Sequence, residues 1–164
     1  MKRHRNRVIW ALALGLALAL SGCITSQERA ARALEMEKKV AQSLRERDYS
    51  IEVTMMYPQS MPARNVTPDF GIAVRGDSLY SYLPYFGRAY DIPYGGGKGL
   101  DFAAPITDYS DTQPKADRHV IEISVDNDED LLLYHLDIFV NGRTDITVTS
   151  RKRDRISFSG EMTW

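Results

Sequence analysis

From Tyr49 onward, apolar and polar residues alternate with a period of two, and before that point they recur every three or four positions. The change of period divides the chain into a helical opening and a long run of strands, because side chains return to one face every 3.6 residues on a helix and every two on a strand. "CITSQERAARALEMEKKVAQSLRERDY" predicts one amphipathic helix over about residues 26–47. Its apolar stripe is Ala30, Ala33, Leu34, Val40, Ala41 and Leu44, with Glu35, Lys38, Lys39, Gln42 and Glu46 turned away. Thr25, three residues before Glu28, makes a capping box at the helix start.

"YSIEVTMMY" (49–57) then sets Ile51, Val53 and Met55 on one face of a strand. "PQSMPARNVTPD" reads as a loop, since its three prolines cannot sit in a central strand. "FGIAVRGDSLYSYLPYFG" holds two short strands around a Gly76-Asp77 turn. Farther on, Ile121, Ile123 and Val125 share one face, as do Leu132, Tyr134, Leu136, Ile138 and Val140, with "DNDED" (126–130) turning between them. Asn141-Gly142 predicts a type I′ hairpin turn. Ile146 and Val148 continue the inward pattern, "SRKRD" (150–154) turns again, and Ile156, Phe158, Met162 and Trp164 form the last strand. The fold class is α+β: one N-terminal helix packed on a curved antiparallel sheet of about seven strands, a meander that is either strongly curved or half-barrel in shape.

The segment before the helix is an address. Lys2, Arg3, Arg5 and Arg7 precede "VIWALALGLALAL" (8–20), the basic and apolar regions of a secretory signal peptide. The apolar run is shorter than the roughly 18–20 residues of a permanent membrane span. "LSGC" (20–23) matches the bacterial lipobox, so residues 1–22 are expected to be removed and Cys23 to carry lipid, with 23–25 as a short tether and 26–164 as a single domain. Cys23 is the sole cysteine, which excludes an internal disulfide. Several acyl chains at about 0.8 kcal/mol per buried methylene make such an anchor effectively permanent. The expected location is the cell envelope, at the outer membrane, on either its periplasmic or its surface side.

Loss of the signal changes the charge. It holds four of the 21 Lys and Arg and none of the 22 Asp and Glu, which leaves 17 against 22, or a net −5. An acidic domain on this route is not a nucleic-acid binder.

"YGGGKGLDF" (94–102) invites comparison with a phosphate-binding loop. That loop needs G-x-x-x-x-G-K-[ST] leading into a helix, whereas Lys98 is followed by Gly99 and soon by Pro105. The glycines therefore serve backbone geometry. Eight of the 16 aromatics fall within residues 80–109: Tyr80, Tyr82, Tyr85, Phe86, Tyr90, Tyr94, Phe102 and Tyr109. A long loop could fold these rings back on the sheet as a satellite core with Arg88 stacked on one of them. It could also present Tyr85, Phe86, Arg88, Tyr90, Tyr94, Lys98 and Asp101 as a surface for a glycan or an envelope protein. His119 and His135 show no metal-binding spacing, no nucleophile elbow is present, and "DNDED" lacks the glycine and terminal glutamate of a calcium loop. No metal and no cofactor is expected.

Together with the closing "ISFSGEMTW", the LPYFGRAY element (83–90), the P-Y-G-G-G segment and the A-P-I-T-D-Y element (104–109) resemble the domain-of-unknown-function 4251 family of bacterial envelope lipoproteins. The resemblance covers nearly all of the chain after Glu28. It implies an envelope lipoprotein of Gram-negative bacteria with one compact domain and brings no catalytic residues. The functional expectation is a membrane-anchored, non-enzymatic binding or structural module that uses its aromatic and Gly-rich loop. The competing expectation is an envelope hydrolase using loop carboxylates such as Asp101 and Asp108.

Overall fold

The computed structural model describes residues 26–67, 69–90 and 97–164. The signal segment, Cys23, Thr25, Asp91, Tyr94, Gly95 and Gly96 lie outside them. The chain forms two units, one ending at Leu34 and one running from Glu35 to Trp164. The one helix among the described residues is α1 (Ser26–Glu46), which contributes residues to both. In the first unit every described side chain is exposed, including Ala30, Ala33 and Leu34 of the expected stripe.

The second unit is built from nine antiparallel strands: β1 (Asp48–Pro58), β2 (Arg64–Asn65), β3 (Gly71–Arg75), β4 (Ser78–Leu83), β5 (Leu100–Lys115), β6 (Arg118–Asp126), β7 (Leu131–Phe139), β8 (Arg143–Ser150) and β9 (Ile156–Thr163). Successive strands are neighbours, and β9 pairs back onto β1 from Ser50↔Thr163 to Pro58↔Ile156. Eight strands thus close an up-and-down barrel, while β2 is a short addition on β1 at Met55 and Met56. The expected seven strands and half-barrel are corrected on two counts. β2 lies in the proline-rich segment read as loop, and β5 occupies the second half of the glycine-rich segment read as loop. Leu100, Phe102 and Ala104 alternate inward on β5, and Pro105, which has no N–H to give, sits beside an extra residue at Thr107.

Closure turns on β1. An extra residue at Thr54 shifts its register against β9, so the inward positions change from odd (Tyr49, Ile51, Val53) to even (Met56, Pro58). Met56 therefore fills the core in place of Met55. Gly71 of β3 and Gly160 of β9 flank this stretch, and a Cβ on either would collide with the backbone of β1, at Ile51 and Glu52 respectively. Those two glycines let neighbouring strands come close enough for the sheet to curl shut.

The interior is filled by side chains, as eight strands allow. Tyr134, Phe158, Ile121, Ile123, Leu136, Ile138 and Ile146 are almost entirely buried, and Val40 and Leu44 of α1 belong to the same core. Only these two residues of the helical stripe are fully buried, because the mouth of a closed barrel engages a couple of helical turns where an open sheet would engage the full length. The helix stops at Arg47, which takes a left-handed conformation (φ 50). Its carbonyl accepts the Gly76 N–H at 2.8 Å, its guanidinium pairs with Asp77 at 3.1 Å, and it lies 4.4 Å from the centre of the Tyr109 ring. This end of the barrel also holds Trp164, exposed beneath Lys39 rather than inside with Met162.

The Asn141-Gly142 turn differs from a type I′ hairpin. Only Gly142 has positive φ (86), and three residues separate Phe139 from Arg143, which is the three-residue hairpin with a left-handed glycine.

Candidate functional site

The far end of the barrel gathers three connections, of which the described residues are 84–90 with 97–99, 127–130 and 151–155. The first and last pair like strands. Ala89 bridges Arg153, Tyr90 N–H donates to the Lys152 carbonyl at 2.8 Å, and Asp154 N–H donates to the Arg88 carbonyl at 3.0 Å. Asp154 answers with its side chain, accepting the Arg88 N–H at 3.1 Å and the Tyr90 phenol. Those two donors hold the Asp154 carboxyl below its usual range, the phenol contributing more, while the same bond pushes the Tyr90 phenol up. Tyr85 is half-buried, with its hydroxyl within reach of the Arg88 and Asp154 carbonyls at 2.8 and 3.1 Å. Its pKa is raised, first by burial and then by the Asp154 charge.

Arg153 ties in the middle connection. It stands 5.6 Å from the centre of the Tyr85 ring and 3.8 Å from Glu129, which also accepts the Lys98 N–H at 2.9 Å. The cation over Tyr85 is thus Arg153, while Arg88 enters the clasp through its backbone and through its charge beside Asp154 and Tyr90. "DNDED" is shaped from within, because Asn127 accepts the N–H groups of Glu129 and Asp130 and the buried Asp130 carboxylate takes the Ser150 hydroxyl. Gly99 sits at φ 66 and leads straight into β5. A carboxylate at Lys98 N–H and a strand in place of a helix are the opposite of a phosphate cradle.

The predicted loop residues divide in two. Tyr85 is built into the clasp, whereas Phe86 and Tyr90 keep much of their rings in water, Tyr90 at 69% exposure and Phe86 beneath Arg64 at 5.7 Å. Asp101 belongs elsewhere. It points outward from β5 in a row that crosses the barrel's outer face: Glu161, Glu52, Gly71, Tyr82, Asp101. The neighbouring row is Thr163, Ser50, Ala73, Tyr80, Ala103.

Large rings beside Gly71, Ala73 and Ala103 leave a concave groove of about 670 Å³. Phe70, just before β3, walls it by stacking on Tyr82 with centroids 4.7 Å apart and planes 19° from parallel. Tyr80 and Tyr82 are 49% and 48% exposed. Glu52, Asp69 and Asp101 line the groove, and Lys, Arg and His are missing from the described residues that line it. Asp69 is held at φ 91, a conformation unusual for a residue with a Cβ. The eight-aromatic cluster was visible along the chain, but Glu52, Asp69 and Phe70 were not tied to it, since their neighbours come from strand pairing.

The two carboxylates expected to act as a pair are not brought together. Asp101 and Asp108 are seven positions apart on one strand, roughly 23 Å by strand rise, against the ~5–10 Å of a hydrolytic pair. His119 lies 3.1 Å from Asp111, and His135 lies 3.3 Å from Glu122 and 3.7 Å from Asp137. Among the described residues no group of three or more His, Cys, Asp or Glu is placed to hold a metal ion. No described helix is long and apolar enough to cross a membrane.

Comparison with known proteins gives a family and a fold. The model of the DUF4251 family, a domain of unknown function, matches residues 31–162. A crystal structure of a DUF4251 family protein from Bacteroides eggerthii superposes with a TM-score of 0.59 at 12% identity, over 77% of this chain and 86% of that one. No curated protein matches the chain.

Proposed function

The chain belongs to the DUF4251 family, and on that footing we propose that it is an envelope lipoprotein, held at the outer membrane by lipid on Cys23, that works as a non-enzymatic binding module. Its recognition surface is the aromatic outer face of β3, β4 and β5, to which we add the exposed rings of Phe86 and Tyr90.

One observation carries this reading: Tyr80 and Tyr82 stand in water on the outside of a barrel whose interior is already full. Exposed rings gathered beside small residues in one concavity mark a surface that something covers. Asp101 lines that surface, while Phe86, Arg88, Tyr90 and Lys98 belong to the connections at the end of the barrel, with Tyr94 in the same loop outside the described residues. Anchoring is supported by the lipobox and by the absence of any other cysteine in the sequence. The partner is an envelope protein or glycan rather than nucleic acid.

The test has two arms. Cells fed a fatty-acid analogue should label the wild-type protein and not Cys23→Ala, which should leave the membrane fraction still folded. An unlabelled wild type ends the anchoring claim. Capture of envelope components by wild type and not by Tyr80→Ser/Tyr82→Ser supports the recognition surface, and equal capture by both removes it.

A further inference from the structure

We propose that the groove on the outer face of β1, β3, β4 and β5 takes a cationic polypeptide segment, with an arginine side chain laid against Tyr80 and Tyr82 and the segment's positive charges facing the carboxylates of Glu52, Asp69 and Asp101. The inference rests on the reading of that face as a recognition surface and names what it recognises.

Charge decides the occupant. Three carboxylates line a single concavity, and no described cation lines it with them. None of the three is in an ion pair with a described residue, whereas Asp77, Asp48, Asp137 and Glu129 all are. Glu52 and Asp101 stand three strands apart on one row, roughly 14 Å by strand spacing, so the negative potential is spread along the groove wall. An anion, a phosphate or an acidic peptide is repelled.

The rings point the same way. The face of a tyrosine attracts a cation within about 6 Å of its centre, and arginine adds planar stacking and two-pronged hydrogen bonding to a carboxylate. Tyr82 is backed by Phe70, which fixes its ring, and about half of the residue's surface stays in water. The volume, about 670 Å³, is in the range that holds a small ligand or a few side chains, roughly 300–1,000 Å³. Strand addition is not the mode, because the pairing of β1, β3, β4 and β5 with neighbours on both sides leaves no edge to extend along the groove. Recognition must therefore run through side chains.

The experiment uses detergent-solubilised full-length protein and a dye-labelled N-acetyl-triarginine amide, with binding read as fluorescence anisotropy. Its neutral counterpart, tricitrulline amide, has the same shape without charge, and chitotriose serves as a neutral glycan. Triarginine should bind at least tenfold more tightly than tricitrulline and more weakly as salt rises. Glu52→Gln/Asp101→Asn and Tyr80→Ser/Tyr82→Ser should each weaken it at least tenfold, while Leu133→Ser, on the outer face of β7, should not. All these side chains face solvent, and an unchanged circular dichroism spectrum confirms that each variant is folded. Equal affinity for triarginine and tricitrulline, or triarginine binding untouched by the groove variants, overturns the inference. Binding of chitotriose alone, lost with the tyrosines, also overturns it but leaves the binding-module reading standing. If no probe binds, the inference falls, and the capture comparison with Tyr80→Ser/Tyr82→Ser decides whether the recognition surface falls with it.

Discussion

Tyr134 on β7 donates its phenol to Ser81 on β4 at 3.0 Å, and Ser81 in turn donates to the Leu100 carbonyl at 2.8 Å. This is a polar strut through an otherwise apolar barrel, with Phe102 edge-on to the Tyr134 ring. Tyr134→Phe should cost about 1 kcal/mol, the net worth of a buried neutral hydrogen bond. Ser81→Ala should cost about 1–3 kcal/mol, because it strands the phenol in the core. Urea unfolding of both and of the double variant checks this. A double variant that costs the full sum of the two would show that the residues do not act together.

Burial pushes the phenols of Tyr49 and Tyr134 well up, with Tyr109 adding to the effect at Tyr49 and Ser81 partly opposing it at Tyr134. An acid whose folded pKa is raised stays protonated in the barrel after the unfolded chain has ionised. Stability from these groups is therefore full below about pH 10 and falls as pH rises beyond it. Phenolate absorbance should show Tyr49 and Tyr134 ionising only together with unfolding. Early titration of all nine tyrosines in a folded barrel would contradict it.

Asp154 works in the opposite sense. Its carboxyl is held low by Tyr90 and the Arg88 amide, so the clasp it forms is present above the ordinary carboxylate value near 4 and is lost as pH falls through the lower folded value. The NMR shift of the Tyr90 ring should follow that protonation with a midpoint below about 4. Asp154→Ala should speed chymotryptic cleavage at Phe86 and Tyr90 while leaving the barrel intact. Cleavage at the wild-type rate would mean that the loop is held by something else.

Gly160→Ala should be the most damaging of the glycine changes, at about 3 kcal/mol, because its Cβ meets β1 backbone that cannot move aside. Gly99→Ala should cost about 1 kcal/mol for its positive φ. Lys98→Ala should stay within about 0.5 kcal/mol, since only its main-chain N–H is held by a described partner, Glu129. Thermal melts rank the three, and a Lys98→Ala cost matching that of Gly160→Ala would refute the order.

Much of the fold was legible because it is local. Alternation marked every strand whose inward residues are aliphatic, from Ile121–Val125 to Ile156–Met162. It failed on β5, where glycine and proline imitate a loop, and at Met55, where one extra residue reverses the face. Closure was not legible at all, because nothing near Ser50 says that Thr163 will be its partner. The groove was hidden for the same reason: Glu52, Tyr82 and Asp101 are neighbours only through strand register.

The pairing of the first strand with the last also sets the order in which the molecule becomes safe. A chain that emerges N-terminus first presents β1 with one bare edge until β9 arrives, and that contact carries the largest loop-closure cost in the fold. A product that stops before Ile156 is therefore not a slightly smaller barrel. It is an open sheet with exposed edges at β1 and β8, ready to pair with another copy of itself.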